Sequence, residues 1–549
     1  MPTLLSARSL LLQHGPRTRW ELVLGPRLPS ALVQHVERFV ERSTRPDKKK
    51  ASVIYPGDFL AALSVAMLAM PQAIAYANLA GMPAYTGLYV AAIPPIAAAY
   101  FASSPYLQTG PVALTALLTF AVLSQLATPG SAEYIGLAAL LALMVGVVRL
   151  AVGLVRLGSV AYLMSQPMLI GFTSAGAILI CLSQLPTALG VQPPMEAVLP
   201  RTLWTLVHPS LWEISSLALS MLTLVLVQMG RRLHPLFPGV LLAVGIGLAY
   251  SHWWGYSGPI LGDVPTGFPS LHWDFPWASL PSLLIGCGVI AILGFAEPAS
   301  IARTYATQDR IPWDANQEFI GQGVANLAAA FAGGFPVGGS FARSAANRLA
   351  GAKTRWSGAI TGGVVLFFLP FAALLHDLPR AVLGAIVIST VINLIRTRQL
   401  FGLLKYSRPQ AAIGLLTFLL TLALAPRIQI AVIIGIALSV AHHLRREQQL
   451  VFDYWTDTSG LHFKPQGVLW FGSAYTVEAE FAKLLATHPE VMDVKLHLGG
   501  LGRIDLSAAI MFKQLMEDAK AAGIQVELLE VPPMAKSWVD RVWQEELKT

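Results

Sequence analysis

The sequence predicts an all-α polytopic membrane domain of about 14 transmembrane segments, arranged as two inverted seven-segment repeats, with a C-terminal α/β domain after it. Hydrophobic residues make up 54% of the 549 positions, charged residues 12%, and the mean hydropathy is +0.58. A soluble chain carries about twice that charged fraction. Apolar runs recur from Phe59 to His442, and strand and helix patterns alternate after Arg446. These three observations define the fold class.

The N-terminal region, residues 1–50, precedes the first apolar run and is expected in the cytoplasm. It carries no signal-peptide pattern, because arginines interrupt the chain soon after the short cluster Leu10–Leu12. Lys48–Lys50 then mark a cytoplasmic start. We expect the transmembrane domain at 51–446 and a cytoplasmic domain at 447–549.

The apolar runs predict about fourteen spans, two of them short. They fall near 59–77, 84–102, 110–126, 134–154, 162–182, 203–227, 237–252, 282–300, 318–332, 340–350, 357–375, 380–395, 409–425 and 427–442. Alternate loops are basic, and their residues are Arg149, Arg156, Arg231, Arg232, Arg303, Arg310, Lys353, Arg355, Arg396, Arg398, Lys405 and Arg408. The Trp-rich loop at 251–280 has no Lys or Arg. The positive-inside rule therefore places both termini in the cytoplasm, and we expect a multi-pass protein of the cell inner (plasma) membrane.

The two halves of the membrane region repeat each other weakly. A short helix after Gly110-Pro111 has a counterpart at Ser340, and Pro71-Gln72 in the first span has one at Glu297-Pro298. Because each half holds an odd number of spans, the halves must be inverted in the membrane. Paired interrupted spans in inverted halves are the sequence signal of a central transporter site.

The second short helix lies in the stretch Gly333–Gly351, GGFPVGGSFARSAANRLAG. Its glycines and proline predict extended backbone up to Ser340 and a helix too short to span afterwards. The N-terminus of that helix, with a Ser340 hydroxyl cap and the charge of Arg343, suits an anion. The alternative is a kinked helix whose Arg343 meets lipid phosphate.

Glu297 is a lone carboxylate in the apolar run Ile285–Ala302. Such a group is costly when charged, so it can exchange its charge for a proton or hold a cation such as sodium. The alternative is an ion pair with Arg303 or Arg343. Gln72 and Tyr76 share one helix face, where they either hydrogen-bond a small polar ligand or pair helix to helix.

Charge and cysteine usage exclude other classes. The two cysteines, Cys181 and Cys287, lie in apolar runs, so we expect no disulfide framework, metal centre or cofactor. Residues 451–549 hold nine Lys and Arg against fourteen Asp and Glu, which leaves the excess of positive charge in the membrane region. This distribution indicates membrane flanks rather than a nucleic-acid partner.

The C-terminal domain shows alternating strand and helix patterns. Expected strands are Val468–Gly472, Val491–Leu498 and Ile524–Leu529, and expected helices are Thr476–Ala486, Ser507–Ala522 and Pro533–Val542. The pattern predicts a small α/β domain. It contains no nucleotide-binding motif, and we expect no enzyme activity.

Three segments resemble the sulfate permease (SulP) family, the bacterial and plant relatives of solute carrier family 26. They are Asp58-Phe-Leu-Ala through Pro71-Gln-Ala-Ile-Ala-Tyr76, Tyr85-Thr-Gly-Leu-Tyr89, and Phe341-Ala-Arg-Ser-Ala-Ala-Asn347. The C-terminal domain resembles the STAS module that follows the membrane part in this family. Ser507 precedes Ala508, where phosphorylated STAS modules of anti-sigma antagonists have glycine, so the sequence departs from the phosphorylation pattern here.

The resemblance implies core and gate subdomains, elevator-like alternating access, a homodimer, and an anion site between the third and tenth half-helices. It implies that the substrate-binding residues are Gln72, Tyr76, Gly110, Val112, Ser340, Phe341, Ala342 and Arg343. Glu297 would bind the coupling ion. Some relatives carry Asp there, paired with sodium coupling, and the longer Glu fits proton coupling at least as well.

The resulting hypothesis is a secondary active transporter that moves a small inorganic or organic anion with a proton or sodium ion. Sulfate, bicarbonate and C4-dicarboxylates such as fumarate all suit the site. The alternatives are an uncoupled anion channel or exchanger, a nucleobase carrier, and a membrane sensor that signals through its C-terminal domain. Glu297 favours a coupled carrier, and Arg343 argues against nucleobases.

Overall fold

The structure, a computed structural model, describes residues 54–533 apart from 163, 196 and 235. The expected N-terminal region at 1–50 and nearly all of the expected helix Pro533–Val542 lie outside the described residues. The chain divides into two compact units between residues 436 and 437, within its last long apolar helix, Ile428–Glu447, which is described below with the first unit.

The first half of the membrane unit consists of helices interrupted once by a very short strand. In order they are α1 Pro56–Leu79, α2 Ala84–Phe101, β1 Thr109–Gly110, α3 Ala113–Leu123, α4 Ala132–Leu154, α5 Gln166–Ala188, α6 Val198–Val207, α7 Ile214–Leu233 and α8 Gly239–Tyr250.

The second half has the same pattern, with a short strand before a short helix. Its elements are α9 Leu280–Asp309, α10 Ala315–Phe331, β2 Gly338–Gly339, α11 Phe341–Leu349, α12 Trp356–Phe368, α13 Arg380–Val391, α14 Thr397–Gly402, α15 Arg408–Ala423 and α16 Ile428–Glu447.

Thirteen of the fourteen expected spans each correspond to one helical segment, and the remaining span covers parts of two helices. Eight described helical segments are long and apolar enough to cross a membrane, and others, such as Ala113–Leu123, are shorter apolar helices. The expected span at 203–227 begins inside the separate helix α6, and the rest of it lies in α7, one of the shorter apolar helices. Pro209 explains the break, because the residue before a proline is pushed out of helical geometry. The Glu213 side chain then caps α7 by accepting from the Ser216 N–H.

Helix packing follows the inverted repeat. The contact of α10 with α4 corresponds to the contact of α2 with α12 when the two halves are exchanged. In the same way, the contact of α9 with α3 corresponds to that of α1 with α11. These contacts define a core made of α1–α4 and α9–α12. In the remaining helices, α5 packs on α15 as α7 packs on α13, which defines a gate made of α5–α8 and α13–α16. Each contact has a partner under exchange of the two halves, as the odd span count predicts.

The C-terminal unit is an α/β domain around one mixed sheet. Its elements are β3 Val451–Asp457, β4 Gly460–Leu469, α17 Phe471–Thr487, β5 Asp493–His497, β6 Leu501–Ile504, α18 Leu506–Ala521 and β7 Gln525–Leu529. The sheet order is β3-β4-β5-β7, and β6 pairs with β4. Only β3 runs antiparallel to its neighbour in the described sheet. Phe463, Phe481 and Phe512 form part of its buried core.

Two sequence expectations for this unit are wrong in detail. The strand expected at Val468–Gly472 is the end of the longer β4, and α17 already begins at Phe471. Strands β3 and β6 were not predicted. β3 is an edge strand with six of its seven residues exposed, so it lacks the apolar alternation that marks a half-buried strand. The helices expected at Thr476–Ala486 and Ser507–Ala522 are confirmed as α17 and α18.

Candidate functional site

Two short helices meet head to head in the middle of the core. Strands β1 and β2 pair antiparallel, with Thr109 opposite Gly339 and Gly110 opposite Gly338. Helix α3 begins three residues after β1 and α11 two residues after β2, so their N-termini approach the strand pair from opposite sides. The N–H groups of a first helical turn have no partner within the helix, so this is a place where an anion is stabilised.

Polar side chains on α10 hold this strand pair in place. Asn326 exchanges hydrogen bonds with Val337, at 2.9 Å to its N–H and 3.1 Å to its carbonyl. Gln322 donates to Thr109 Oγ1 at 2.8 Å. On the other side, the N–H of Gln108 donates to Ser344 Oγ of α11 at 2.9 Å. The strand pair before the half-helices is therefore preorganised by side chains that hydrogen-bond within the protein.

Arg149 was expected among the basic residues of the loops, and this expectation is wrong. It lies within α4 and is 0% exposed. Its guanidinium donates to the carbonyls of Ala291, Val337 and Ile290 at 3.0, 2.9 and 3.0 Å. A buried arginine that satisfies carbonyls next to β2 links α4, α9 and the half-helix loop.

We expect Arg149→Met to lower the midpoint of thermal denaturation of the purified protein and to abolish anion binding. The substitution removes the charged donor from three buried carbonyls, of which Val337 keeps its hydrogen bond from Asn326, and we expect a total cost of about 1–3 kcal/mol or more. Arg156→Met is the matched control, since Arg156 is exposed at the end of the same helix. An Arg149→Met protein as stable as the parent would contradict this structural role.

Arg343 is buried beside both half-helix N-termini. It is 2% exposed, so it does not reach lipid phosphate. A Cβ on Gly110 would lie 3.3 Å from its Nη2 atom, which places the guanidinium against β1. Its three guanidinium nitrogens have no hydrogen-bond partner among the residues that the structure describes. Ser340 caps α11 as expected, accepting from the Arg343 N–H at 3.5 Å.

Glu297 lies on α9 and faces the start of α11. Its Oε1 atom accepts from the Phe341 N–H at 3.4 Å. It interacts electrostatically with Arg343, but no salt bridge joins these two described residues. Glu297 therefore lies close enough to the half-helix N-termini for an anion bound there to change the free-energy cost of its charged form.

The predicted site residues fall around two cavities on either side of α11. The inner cavity, about 290 Å³, lies between core and gate and is lined by Glu297, Phe341, Leu114, Ser300, Arg303 and Arg396, among others. The side cavity, about 230 Å³, is lined by Gln72, Ala342 and Arg343 together with residues of α7 and α8.

The other predicted residues are buried close to the strand pair. Tyr76 is 5% exposed and its hydroxyl donates to Thr390 Oγ1 at 3.2 Å, so it bridges core and gate. Gly110 belongs to β1, and Val112 precedes the first residue of α3. Gln72 and Tyr76, which share one face of α1, therefore have different surroundings. Gln72 lines the side cavity, and Tyr76 hydrogen-bonds the gate.

Sequence reasoning missed the supporting residues of α10. Glu318, Gln322 and Asn326 are all 0% exposed and recur at four-residue spacing. Glu318 accepts from the N–H groups of Ser103 and Ser104 at 3.1 and 2.9 Å, just before β1. A polar stripe on one face of an apolar helix was the available signal, because such a face must meet polar partners.

This arrangement defines a class of membrane protein. Inverted halves, two interrupted spans and half-helix N-termini that converge between them characterise secondary transporters. The sequence comparison then identifies the family: residues 56–421 match the model of the sulfate permease family, and the chain belongs to that family rather than to an enzyme family.

Individual proteins show the same relationship. The chain is 31% identical over 401 residues to sulfate transporter 4.1, chloroplastic, of Arabidopsis thaliana, covering 70% of this chain and 57% of that protein. It is 34% identical over 402 residues to a probable sulfate transporter of Mycobacterium tuberculosis, covering 71% of this chain and 70% of that one.

Solved structures agree in fold. The murine solute carrier 26 family member A9 anion transporter in the inward-facing state matches with a TM-score of 0.80 at 19% identity, over 98% of this chain and 94% of that one. The transmembrane domain of a cyanobacterium bicarbonate transporter matches with a TM-score of 0.60 at 25% identity, over 71% of this chain and 98% of that domain.

Proposed function

We propose that this protein is a secondary active transporter of small anions. The observation that carries the proposal is the buried Arg343 guanidinium, unpartnered among the described residues and placed where two half-helix N-termini converge. A buried charge without a partner costs several kcal/mol, and an anion at this position would offset that cost. Charge-assisted hydrogen bonds to Arg and to first-turn N–H groups suit carboxylate or oxyanion oxygens.

The substrate class is a small oxyanion or carboxylate. The relatives named above are described as sulfate transporters, and one structural neighbour as a bicarbonate transporter. One guanidinium with two helix termini also accommodates a C4-dicarboxylate such as fumarate. Sulfate and bicarbonate are supported by the relatives, whereas fumarate is supported by the charge of the site alone.

We propose proton-coupled symport with Glu297 as the coupling group. Its carboxylate borders the inner cavity and the first turn of α11, so an anion bound there raises the cost of its charged form. A passive channel for anions gains nothing from such a carboxylate. Sodium as the coupling ion is the second candidate for the same group.

The transport cycle that we propose moves the core against the gate in an elevator-like manner. The inner cavity already separates these two helix groups on the face that carries Arg303 and Arg396. Since basic residues mark the cytoplasmic face, we propose cytoplasmic termini, an inner-membrane location, and a cytoplasmic STAS-like module formed by the C-terminal unit. A homodimer completes the proposal and rests on the family resemblance.

Uptake into proteoliposomes tests the function. Labelled sulfate, bicarbonate and fumarate are supplied outside, with and without an inward proton gradient, and sodium replaces the proton gradient in a third set. We expect accumulation of at least one anion above its equilibrium level when the proton gradient is present. Uptake that only equilibrates, whatever the gradient, would indicate the uncoupled channel or exchanger. No uptake of any of the three would refute the transporter assignment for these substrates.

A further inference from the structure

A second polar cavity lies between core and gate on the membrane face opposite Arg303 and Arg396. This outer cavity, about 340 Å³, is bordered by α1, α3, α5, α6 and α13. It uses the last turns of α5, from Ser183 to Thr187, whereas the inner cavity uses α5 from Gln166 to Ile180. It belongs to the face of the Trp-rich loop, because the Arg380 N–H donates to the Pro259 carbonyl of that loop at 2.9 Å.

A thin apolar contact separates the two cavities. Leu114 of α3 lines the inner cavity and Leu117 lines the outer one. Both leucines face Gly176 of α5, where an added Cβ would lie 3.6 Å from Leu117 and 4.0 Å from Leu114. One turn of α3 therefore contacts a glycine of the gate at a point between the two cavities.

The outer cavity carries two cationic side chains from distant parts of the chain. Arg201 of α6 is half-buried, and its Nε atom is buried without a hydrogen-bond partner among the described residues. Arg380 of α13 donates from Nε to the Ile260 carbonyl at 2.8 Å, which fixes the guanidinium at the rim. The amides of Asn78 and Gln184 supply further donors, and the hydroxyl groups of Ser183 and Thr187 also line the cavity.

None of the described residues that line the outer cavity is a carboxylate. The nearby Glu213 side chain accepts from Ser215, Ser216 and Ser257 instead. Glu196 lies outside the described residues. Two guanidinium groups, amide donors and no lining acid form a surface complementary to a small oxyanion.

We propose that the outer cavity is a second anion subsite, which captures the transported oxyanion or carboxylate on the external face before the core reaches it. The inference rests on the proposed anion transport and adds to it a second binding position with its own residues. Converging positive charge in a cleft with apolar walls raises the local anion concentration and the rate of association. The subsite therefore acts on external anion and leaves the Arg343 site unchanged.

The test compares transport from the two faces. Right-side-out and inside-out membrane vesicles are prepared from cells that produce the parent, Arg201→Gln, Arg380→Gln and the double variant. Initial uptake of labelled sulfate, bicarbonate and fumarate is measured over a range of concentrations. We expect the half-saturation concentration on the external face to rise about tenfold in the double variant, with a weaker salt dependence, while that on the internal face stays at the parent value.

Matched variants make the result decisive. Arg427→Gln removes a positive charge whose side chain bonds Gln125, a residue that does not line the outer cavity, and it should leave external half-saturation unchanged. Glu196→Gln should leave it unchanged or lower it. If Glu196→Gln raises the external half-saturation concentration as much as Arg201→Gln does, Arg201 acts as the ion-pair partner of Glu196. That result would overturn the subsite.

Other outcomes also decide the matter. Equal changes on both faces, or no change on either, would overturn the subsite while leaving the transporter assignment intact. If Arg201→Gln fails to accumulate in the membrane, the exposed Arg380→Gln alone carries the test. Parent vesicles that take up none of the three anions would refute the transporter assignment itself and the premise of the subsite with it.

Discussion

Replacing Arg343 with Ala is expected to weaken anion binding about tenfold or more, and more for a divalent than for a monovalent anion. The parent side chain is 2% exposed and has three nitrogens without partners among the described residues. A hydrogen bond to a charged group contributes about 1.5–3 kcal/mol, which corresponds to a factor of roughly ten to more than a hundred. Residual binding should persist, because the half-helix dipoles remain and contribute up to about 2 kcal/mol.

The measurement is the concentration dependence of anion-induced thermal stabilisation, together with uptake in proteoliposomes. Arg348→Ala is the matched control on the same half-helix, since Arg348 pairs with Asp309 and Gln308 instead of facing a cavity. Arg343→Lys should recover part of the divalent preference, because charge is retained and the planar donor fork is lost. Unchanged affinity for every anion in folded Arg343→Ala would remove Arg343 from the site.

Glu297→Gln is expected to abolish accumulation driven by a proton gradient while anion binding and exchange continue. The amide mimics the protonated carboxyl in every state, so binding of the anion no longer depends on a proton. In the parent, proton and anion bind cooperatively, since a bound anion disfavours the ionised carboxylate and linkage makes each ligand tighten the other. The neutral pair then crosses more readily than the anion alone.

The decisive comparison is between two assays on the same vesicles. Counterflow exchange of labelled anion should remain within a few-fold of the parent, and gradient-driven accumulation should fall to the equilibrium level. Glu318→Gln is the control, because Glu318 is a second carboxylate in the core but is fully buried and accepts from backbone N–H groups before β1. We expect it to lower thermal stability without uncoupling. Accumulation that survives in Glu297→Gln would assign coupling to another group.

The approximate positions of most membrane helices followed from the sequence, because a bilayer requires long apolar runs and local backbone hydrogen bonding. The same rule made exceptions visible. Glycines and a proline before Ser340 marked a half-helix, and Arg343 and Glu297 stood out as charges within apolar spans. Both short helices and their meeting at β1 and β2 are present in the structure.

Tertiary structure alone decided which polar atoms meet. Arg149 read as a basic loop residue, yet it bonds three carbonyls from α9 and the half-helix loop. The division of the predicted site between an inner and a side cavity, and the outer cavity with Arg201 and Arg380, depend on contacts between the two halves of the chain. The apolar pattern that predicts a membrane helix lies within one short stretch of sequence. Hydrogen-bond partners and cavity walls, in contrast, come from residues that are far apart in sequence. The amino-acid order therefore specified the helices and their exceptional residues, and the packing of core against gate specified where an anion can bind.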